Sequence, residues 1–323
     1  MPALKSIGFP ISRKENEFRR ALLPDGLRAM RNPGRCFIEK GFGEPVGVSD
    51  SEYERSGAHL ASREEVLSKE IICNPKGLDP DMIPLIKPGG ILFGWVHAVQ
   101  GREITDILVD RRMTAVAWED MFEEGRLHVF WRNNEIAGEA AVIHAARFSG
   151  RLPYEWNVAI LGRGNCARGA FRILEKMGAK VSIYPKERMF KLRDDVERYD
   201  IVVNALLWDV FETRLVLSAA DVKRMKRGSM IIDVSCDSEG MCIETTHPTT
   251  IIDPVFVRDG VIHYAVDHTA SLFCRSATAA ISAAVTPYLD YLIEGARNDV
   301  LDRATIIKDG TVLDARIIRF QSR

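Results

Sequence analysis

Three side chains at the ends of short apolar runs could carry chemistry: Arg19 in KENEFRRALLP, Lys76 in CNPKG and His97 in ILFGWVH. Parallel strands of an α/β lobe deliver side chains to a cleft at such positions. Hydride transfer to a carbonyl or an imine needs a proton donor for the developing oxygen or nitrogen, and a cation to hold a substrate carboxylate. His97 changes protonation near neutral pH, whereas Lys76 does so only where burial or a like charge lowers its pKa. On spacing alone, a hydrogen-bonded core histidine and two surface cations fit these positions equally well.

The second chemical feature is the segment WNVAILGRGNCARGAFRILEKMGAKVSIYP, in which an apolar strand runs into Gly162-Arg163-Gly164-Asn165-Cys166-Ala167, then an amphipathic helix, then another strand. Gly162 permits a tight turn, Gly164 lets a pyrophosphate approach the backbone, and Ala167 keeps helix and strand close. The helix N-terminus adds N–H donors and a positive dipole. A bare Gly-x-Gly-x-x-Ala carries little weight, but the strand–turn–helix–strand context points to a dinucleotide. An acid ending the second strand would favour NAD(H). That position holds Tyr184, followed by Lys186 and Arg188, which would attract the 2′-phosphate of NADP(H); the pair also reads as solvated charges around Glu187. NADP(H) is therefore expected ahead of NAD(H). Asn204, after the run Ile201–Val203, falls where the dinucleotide crevice passes the next strand.

The elements that must position these residues alternate between β-type runs and helical patterns, which implies an α/β fold with two Rossmann-like domains, parallel sheets and an active-site cleft between them. Strands are expected at 6–9, 36–39, 70–73, 91–96 and 114–118, with helices at 50–57 and 103–111. The alanine-rich run 133–148, capped by Asn133, is expected to be a long linking helix. A second strand series follows at 156–161, 180–184, 201–204, 229–234 and 261–265, then a helix over 277–296 that returns to the first lobe, and a hairpin-like end piece over 306–320. The substrate domain is thus discontinuous, 1–130 with 268–323, around a dinucleotide domain at 131–267.

Composition excludes several classes. At 323 residues and 46% hydrophobic content the chain can bury two cores. With 44 basic and 45 acidic side chains it has no field suited to nucleic acid or an anionic membrane. Six scattered cysteines form neither metal nor redox pairs and read as buried thiols of a reducing compartment; no metal is expected. The opening MPALKSIGFPISRKE is neither a signal peptide nor a transit sequence, and no apolar run approaches the roughly 20 residues of a membrane helix. A cytoplasmic enzyme acting on small molecules is expected. A homo-oligomer is compatible, although no spacing pattern marks a subunit interface.

The segments IGFPISRKENEFRRALLPDGL, ICNPKG with GWVHA, GRGNCARG, IIDVSCDSEG and VDHTASLFCRSAT together resemble the family of alanine dehydrogenases, transhydrogenase subunits and saccharopine dehydrogenases. The resemblance runs from Ile7 to about Tyr288. It implies that Arg19 clamps a carboxylate, that Lys76 contacts substrate and assists proton transfer, and that His97 is the principal acid/base. Asp237 falls on the aspartate beside the nicotinamide ribose. Asp267 and His268 fall on an Asp-His pair of the saccharopine pattern, although Thr269-Ala270 stand where Leu-Pro is usual and Cys274 replaces a proline. Within the family the residues come nearest to the branch that reductively joins pyruvate to the side-chain amine of ornithine or lysine with NADPH. Such a reaction requires an acid for the amino acid's α-ammonium, and Glu119, Asp120 and Asp209 are the candidates, each also readable as a solvated loop carboxylate. Alanine or saccharopine dehydrogenase activity with NAD, and a nucleotide-sensing protein without turnover, are the alternatives. The sensing protein would be expected to have lost one of Arg19, Lys76 and His97, and all three are present.

Overall fold

The computed structural model describes residues 3–236 and 240–323. Two compact units divide the chain: Met1–Trp131 with Cys274–Arg323, and Arg132–Phe273. Each is built on one sheet.

In the first unit the strands are β1 (Ile7–Phe9), β2 (Cys36–Glu39), β3 (His59–Ala61), β4 (Ile71–Asn74), β5 (Ile91–Gly94) and β6 (Thr114–Ala117). In the second they are β7 (Asn157–Leu161), β8 (Lys180–Tyr184), β9 (Ile201–Asn204), β10 (Met230–Asp233), β11 (Val255–Arg258) and β12 (Val261–Tyr264). The chain then re-enters the first unit and adds β13 (Thr305–Lys308) and β14 (Thr311–Val312).

The first sheet has the order β14-β13-β6-β5-β4-β1-β2-β3. β1 to β6 pair in parallel, while β13 runs antiparallel to β6. Strands with both faces covered read as continuous apolar runs, and β4 and β9 are buried at every residue. The second sheet has the order β11-β12-β10-β9-β7-β8, parallel except for β11. No helix among the described residues is long and apolar enough to cross a membrane.

Several sequence expectations shift. The linking helix spans Trp131–Ala146, so Asn133 is a buried helical residue and not the cap. The end piece is a hairpin only as far as Val312; Asp314 caps a helix over Ala315–Gln321 by accepting the Arg316 N–H. Cys166 and Cys274 are only partly buried, unlike the other four thiols.

Two glycines let the helices Trp131–Ala146 and Asn165–Lys176 meet backbone to backbone. A Cβ on Gly138 would lie 2.0 Å from the Cys166 carbonyl oxygen, and one on Gly169 would lie 1.9 Å from that of Glu135. Neither distance is tolerable. In the first unit the helix Cys274–Glu294 fixes the loop after β1 through side chains: Thr278 Oγ1 accepts the Arg20 N–H and Ser282 Oγ accepts the Leu23 N–H, both at 2.9 Å.

Candidate functional site

In the first unit Arg19, Lys76 and His97 all lie in loops at the carboxyl ends of neighbouring parallel strands β1, β4 and β5. Trp95 ties the three together. The Arg19 guanidinium carbon sits 5.1 Å from the centre of a Trp95 ring. Gly77, next to Lys76, turns with φ +65° so closely against the Trp95 carbonyl that a Cβ there would come within 2.9 Å of the oxygen. His97 follows two residues later. Trp95 itself packs edge-on to Trp118 at 5.0 Å and against Phe130 at 5.3 Å, so the platform is rigid.

Arg19 is buried and already has a carboxylate partner. Its Nε donates to Glu17 Oε1 at 2.8 Å and its Nη2 donates to Glu17 Oε2. The Nε–Nη2 edge is therefore taken by Glu17. The Lys76 turn is held by Asn74, whose Nδ2 donates to the Gly77 carbonyl at 2.7 Å, and by Asp79, which accepts the Arg13 N–H at 2.7 Å and the Ser12 hydroxyl at 3.2 Å. Asp79 thereby links the loops bearing Arg19 and Lys76.

His97 is exposed and adopts φ +51°, a left-handed conformation that costs a non-glycine residue roughly 1–3 kcal/mol. Glu119, just past β6, receives the backbone there: Oε1 accepts the His97 N–H at 2.6 Å and Oε2 accepts the Val96 N–H at 3.1 Å. Burial outweighs these donors and pushes the Glu119 carboxyl up to about 7. Asp120 is salt-bridged to Arg316 at 2.6 Å. Asp209 belongs to the other unit, where it is exposed and accepts the Phe211 N–H at 3.0 Å. Of the three acids considered for an ammonium, Glu119 is thus turned to backbone, Asp120 to an arginine, and Asp209 to its own loop.

The nucleotide candidates of the second unit also gather at the carboxyl ends of their strands. Gly162, after β7, has φ +104° and donates its N–H to the Tyr184 carbonyl at 2.8 Å; a Cβ would meet the Ala205 carbonyl oxygen at 2.7 Å. Only glycine fits. Gly164 is the N-cap of the helix Asn165–Lys176, and a Cβ there would meet nothing within 4 Å, so the helix N-terminus opens on an unobstructed cradle that suits a pyrophosphate. Ala167 is buried beneath it and Arg163 is exposed beside it. Asn165 Oδ1 accepts from Arg168 at 2.7 Å.

At the end of β8, the Tyr184 hydroxyl bonds with Tyr199 at 2.8 Å and Asp195 at 3.2 Å; burial, with these two neighbours, raises its pKa. Lys186 and Arg188 are exposed, and neither head group has an ion-pair partner among the described residues. Asn204 ends β9 and donates to Asp233 Oδ1 at 2.9 Å. After β12, Asp267 and the buried His268 bond to one another. Asp237 lies outside the described residues.

Sequence reasoning overlooked Trp95, Glu17, Asn74 and Asp79. Glu17 was visible as an acid two positions before Arg19, and Trp95 as the aromatic residue inside GWVH. The roles of Asn74 and Asp79 depend on loop geometry that spacing does not encode.

Comparison with known proteins shows the family of the chain. Residues 8–137 match the N-terminal domain and residues 185–320 the C-terminal domain of the alanine dehydrogenase/PNT family. The chain is 33% identical over 301 residues to an N(5)-(carboxyethyl)ornithine synthase of Clostridium botulinum, covering 88% of this chain and 93% of that one. It is 29% identical over 350 residues to an alanine dehydrogenase of Geobacillus stearothermophilus, covering 97% and 94%. A solved L-alanine dehydrogenase superposes with a TM-score of 0.84 at 25% identity, covering 98% of this chain and 99% of that one. The chain belongs to the alanine dehydrogenase/PNT family of nicotinamide-dependent oxidoreductases.

Proposed function

We propose that this enzyme uses NADPH to join pyruvate reductively to the side-chain amine of ornithine or lysine, giving an N-(carboxyethyl) amino acid. The observation that carries the reading is the convergence of Arg19, the Lys76 turn and the His97 turn on Trp95, which supports a carboxylate-binding cation acting with two proton-handling groups. The similarity to N(5)-(carboxyethyl)ornithine synthase supports the choice of amine. For the cofactor, support comes from β8 ending on a tyrosine committed to Tyr199 and Asp195, with exposed Lys186 and Arg188 following.

The substrate amine attacks the keto carbon of pyruvate, and the resulting carbinolamine loses water to leave an iminium. Arg19, with Glu17 retained on its Nε–Nη2 edge, orients the keto acid through its carboxylate. His97 gives a proton to the departing hydroxyl, and the Lys76 ammonium stabilises negative charge on that oxygen. The cradle at Gly162, Gly164 and Ala167, together with Arg163, Asn165, Asn204, Asp237, Asp267 and His268, would hold the dinucleotide. When bound, the nicotinamide supplies the hydride that reduces the iminium.

Incubating the protein with NADPH, pyruvate and either ornithine or lysine, and weighing the product by mass spectrometry, tests the reading. A mass equal to the two substrates joined with loss of water and gain of two hydrogens is expected. Cofactor oxidation that requires ammonia, with no such product, would instead establish alanine dehydrogenase activity.

A further inference from the structure

Glu119 has a role that its sequence position alone did not suggest. Both carboxylate oxygens are turned onto consecutive backbone donors, the Val96 N–H at 3.1 Å and the His97 N–H at 2.6 Å. No lysine, arginine or histidine side chain pairs with this carboxylate among the described residues. The second of these two amides belongs to His97, whose own backbone is left-handed at φ +51°. We infer that Glu119 is a positioning residue: by capturing the Val96 and His97 amides from the neighbouring strand's end, it fixes the backbone that aims the His97 imidazole at the reacting oxygen.

The surroundings of this loop support the assignment. β6 lies directly beside β5, with Ala117 in register with Gly94, so the residue two positions beyond the end of β6 falls level with the turn after β5. The Gly101 N–H bonds back to the His97 carbonyl at 3.1 Å, closing the turn. Gln321 holds the same loop from beyond His97, donating to the Ala98 carbonyl at 2.7 Å. Without Glu119, the left-handed residue loses the acceptor for its own amide and the next most favourable conformation swings the imidazole away. Glu119 cannot at the same time turn those two oxygens wholly to a substrate ammonium, which is the role its sequence position suggested.

The inference rests on His97 being the acid/base of the proposed reaction, and a double-mutant cycle tests it. Glu119→Gln, Glu119→Ala and His97→Ala are prepared, with Glu119→Gln also in the His97→Ala background, and initial rates are measured with NADPH and saturating keto acid while the amino acid is varied. Misplacing a reacting group by about 1 Å can cost on the order of 10²-fold, so Glu119→Gln and Glu119→Ala are expected to lower kcat about 10- to 100-fold while the KM for the amino acid stays within about threefold. In the His97→Ala background Glu119→Gln should lower kcat no further, an absence of additivity that a merely structural role does not produce. If Glu119→Ala fails to fold, the near-isosteric Glu119→Gln carries the test alone. A rise of about tenfold or more in the KM for the amino acid with unchanged kcat would overturn the inference and make Glu119 the ammonium ligand; fully additive losses would also overturn it. If wild type reduces pyruvate only with ammonia, the substrate reading fails, and the same cycle run with ammonia still decides the role of Glu119.

Discussion

Glu17 Oε1 accepts from Arg19 Nε at 2.8 Å inside a region closed to solvent, so the cation proposed to bind a substrate carboxylate is already half of a buried ion pair. Breaking such a pair by removing one partner strands a buried charge. Glu17→Ala is therefore expected to lower unfolding free energy by about 3–5 kcal/mol, read by urea denaturation. Glu17→Gln, which keeps an acceptor, should cost less. A loss below about 1 kcal/mol for Glu17→Ala would mean the pair contributes little.

Cofactor choice should reside in Lys186 and Arg188. Replacing both by alanine is expected to raise the KM for NADPH at least tenfold and to leave that for NADH nearly unchanged, because only the 2′-phosphate offers them a charge. Tyr184→Phe should leave the preference alone, since that hydroxyl is committed to Tyr199 and Asp195. Equal losses for both cofactors in the double variant would make the two cations mere surface charges.

Three glycines should separate folding from binding. An added methyl at Gly138 or Gly169 overlaps a carbonyl oxygen of the facing helix, and either alanine variant is expected to lose roughly 1–3 kcal/mol or more of stability. Gly164→Ala meets open space and has φ −69°, which alanine adopts freely. It should melt like wild type yet bind the dinucleotide several-fold more weakly in a calorimetric titration, because its methyl occupies the cradle. Unchanged binding would remove Gly164 from the site.

His263 supplies a pH signature. It is buried between Phe256 and the Thr245 hydroxyl, and burial pushes its pKa down to about 4. The folded state therefore prefers the neutral ring, so its contribution is fully present above the unfolded value near 6.5 and fades as pH falls through about 4. A difference of about 2.5 pH units corresponds to at most about 3–4 kcal/mol. Stability should decline over that window in wild type and decline less in His263→Gln; identical slopes would contradict the assignment.

How much of this was legible beforehand follows from the physics of each element. Buried parallel strands such as β4, β5, β7 and β9 announce themselves as apolar runs. By contrast β3, with the sequence HLA, and β11, with VFVR and half its residues exposed, carry no such signal. The final helix was hidden because Asp309-Gly310, both left-handed, make a strong hairpin turn that suggests strand on either side, while the Asp314 cap a few residues later redirects the chain. In the candidate site, Arg19, Lys76 and His97 stand out in the sequence by type and position. Glu119 was visible too, but its attachment to His97 depends on strand order and register, which a single sequence does not state.

The destination of the hydride separates the proposed reaction from its alternatives most directly. NADPH carrying deuterium on its reacting nicotinamide carbon, incubated with pyruvate and ornithine or lysine, is predicted to give an N-(carboxyethyl) amino acid with deuterium on the carbon that had been the keto carbon of pyruvate. Deuterium appearing only in alanine, and only when ammonia is supplied, would contradict it.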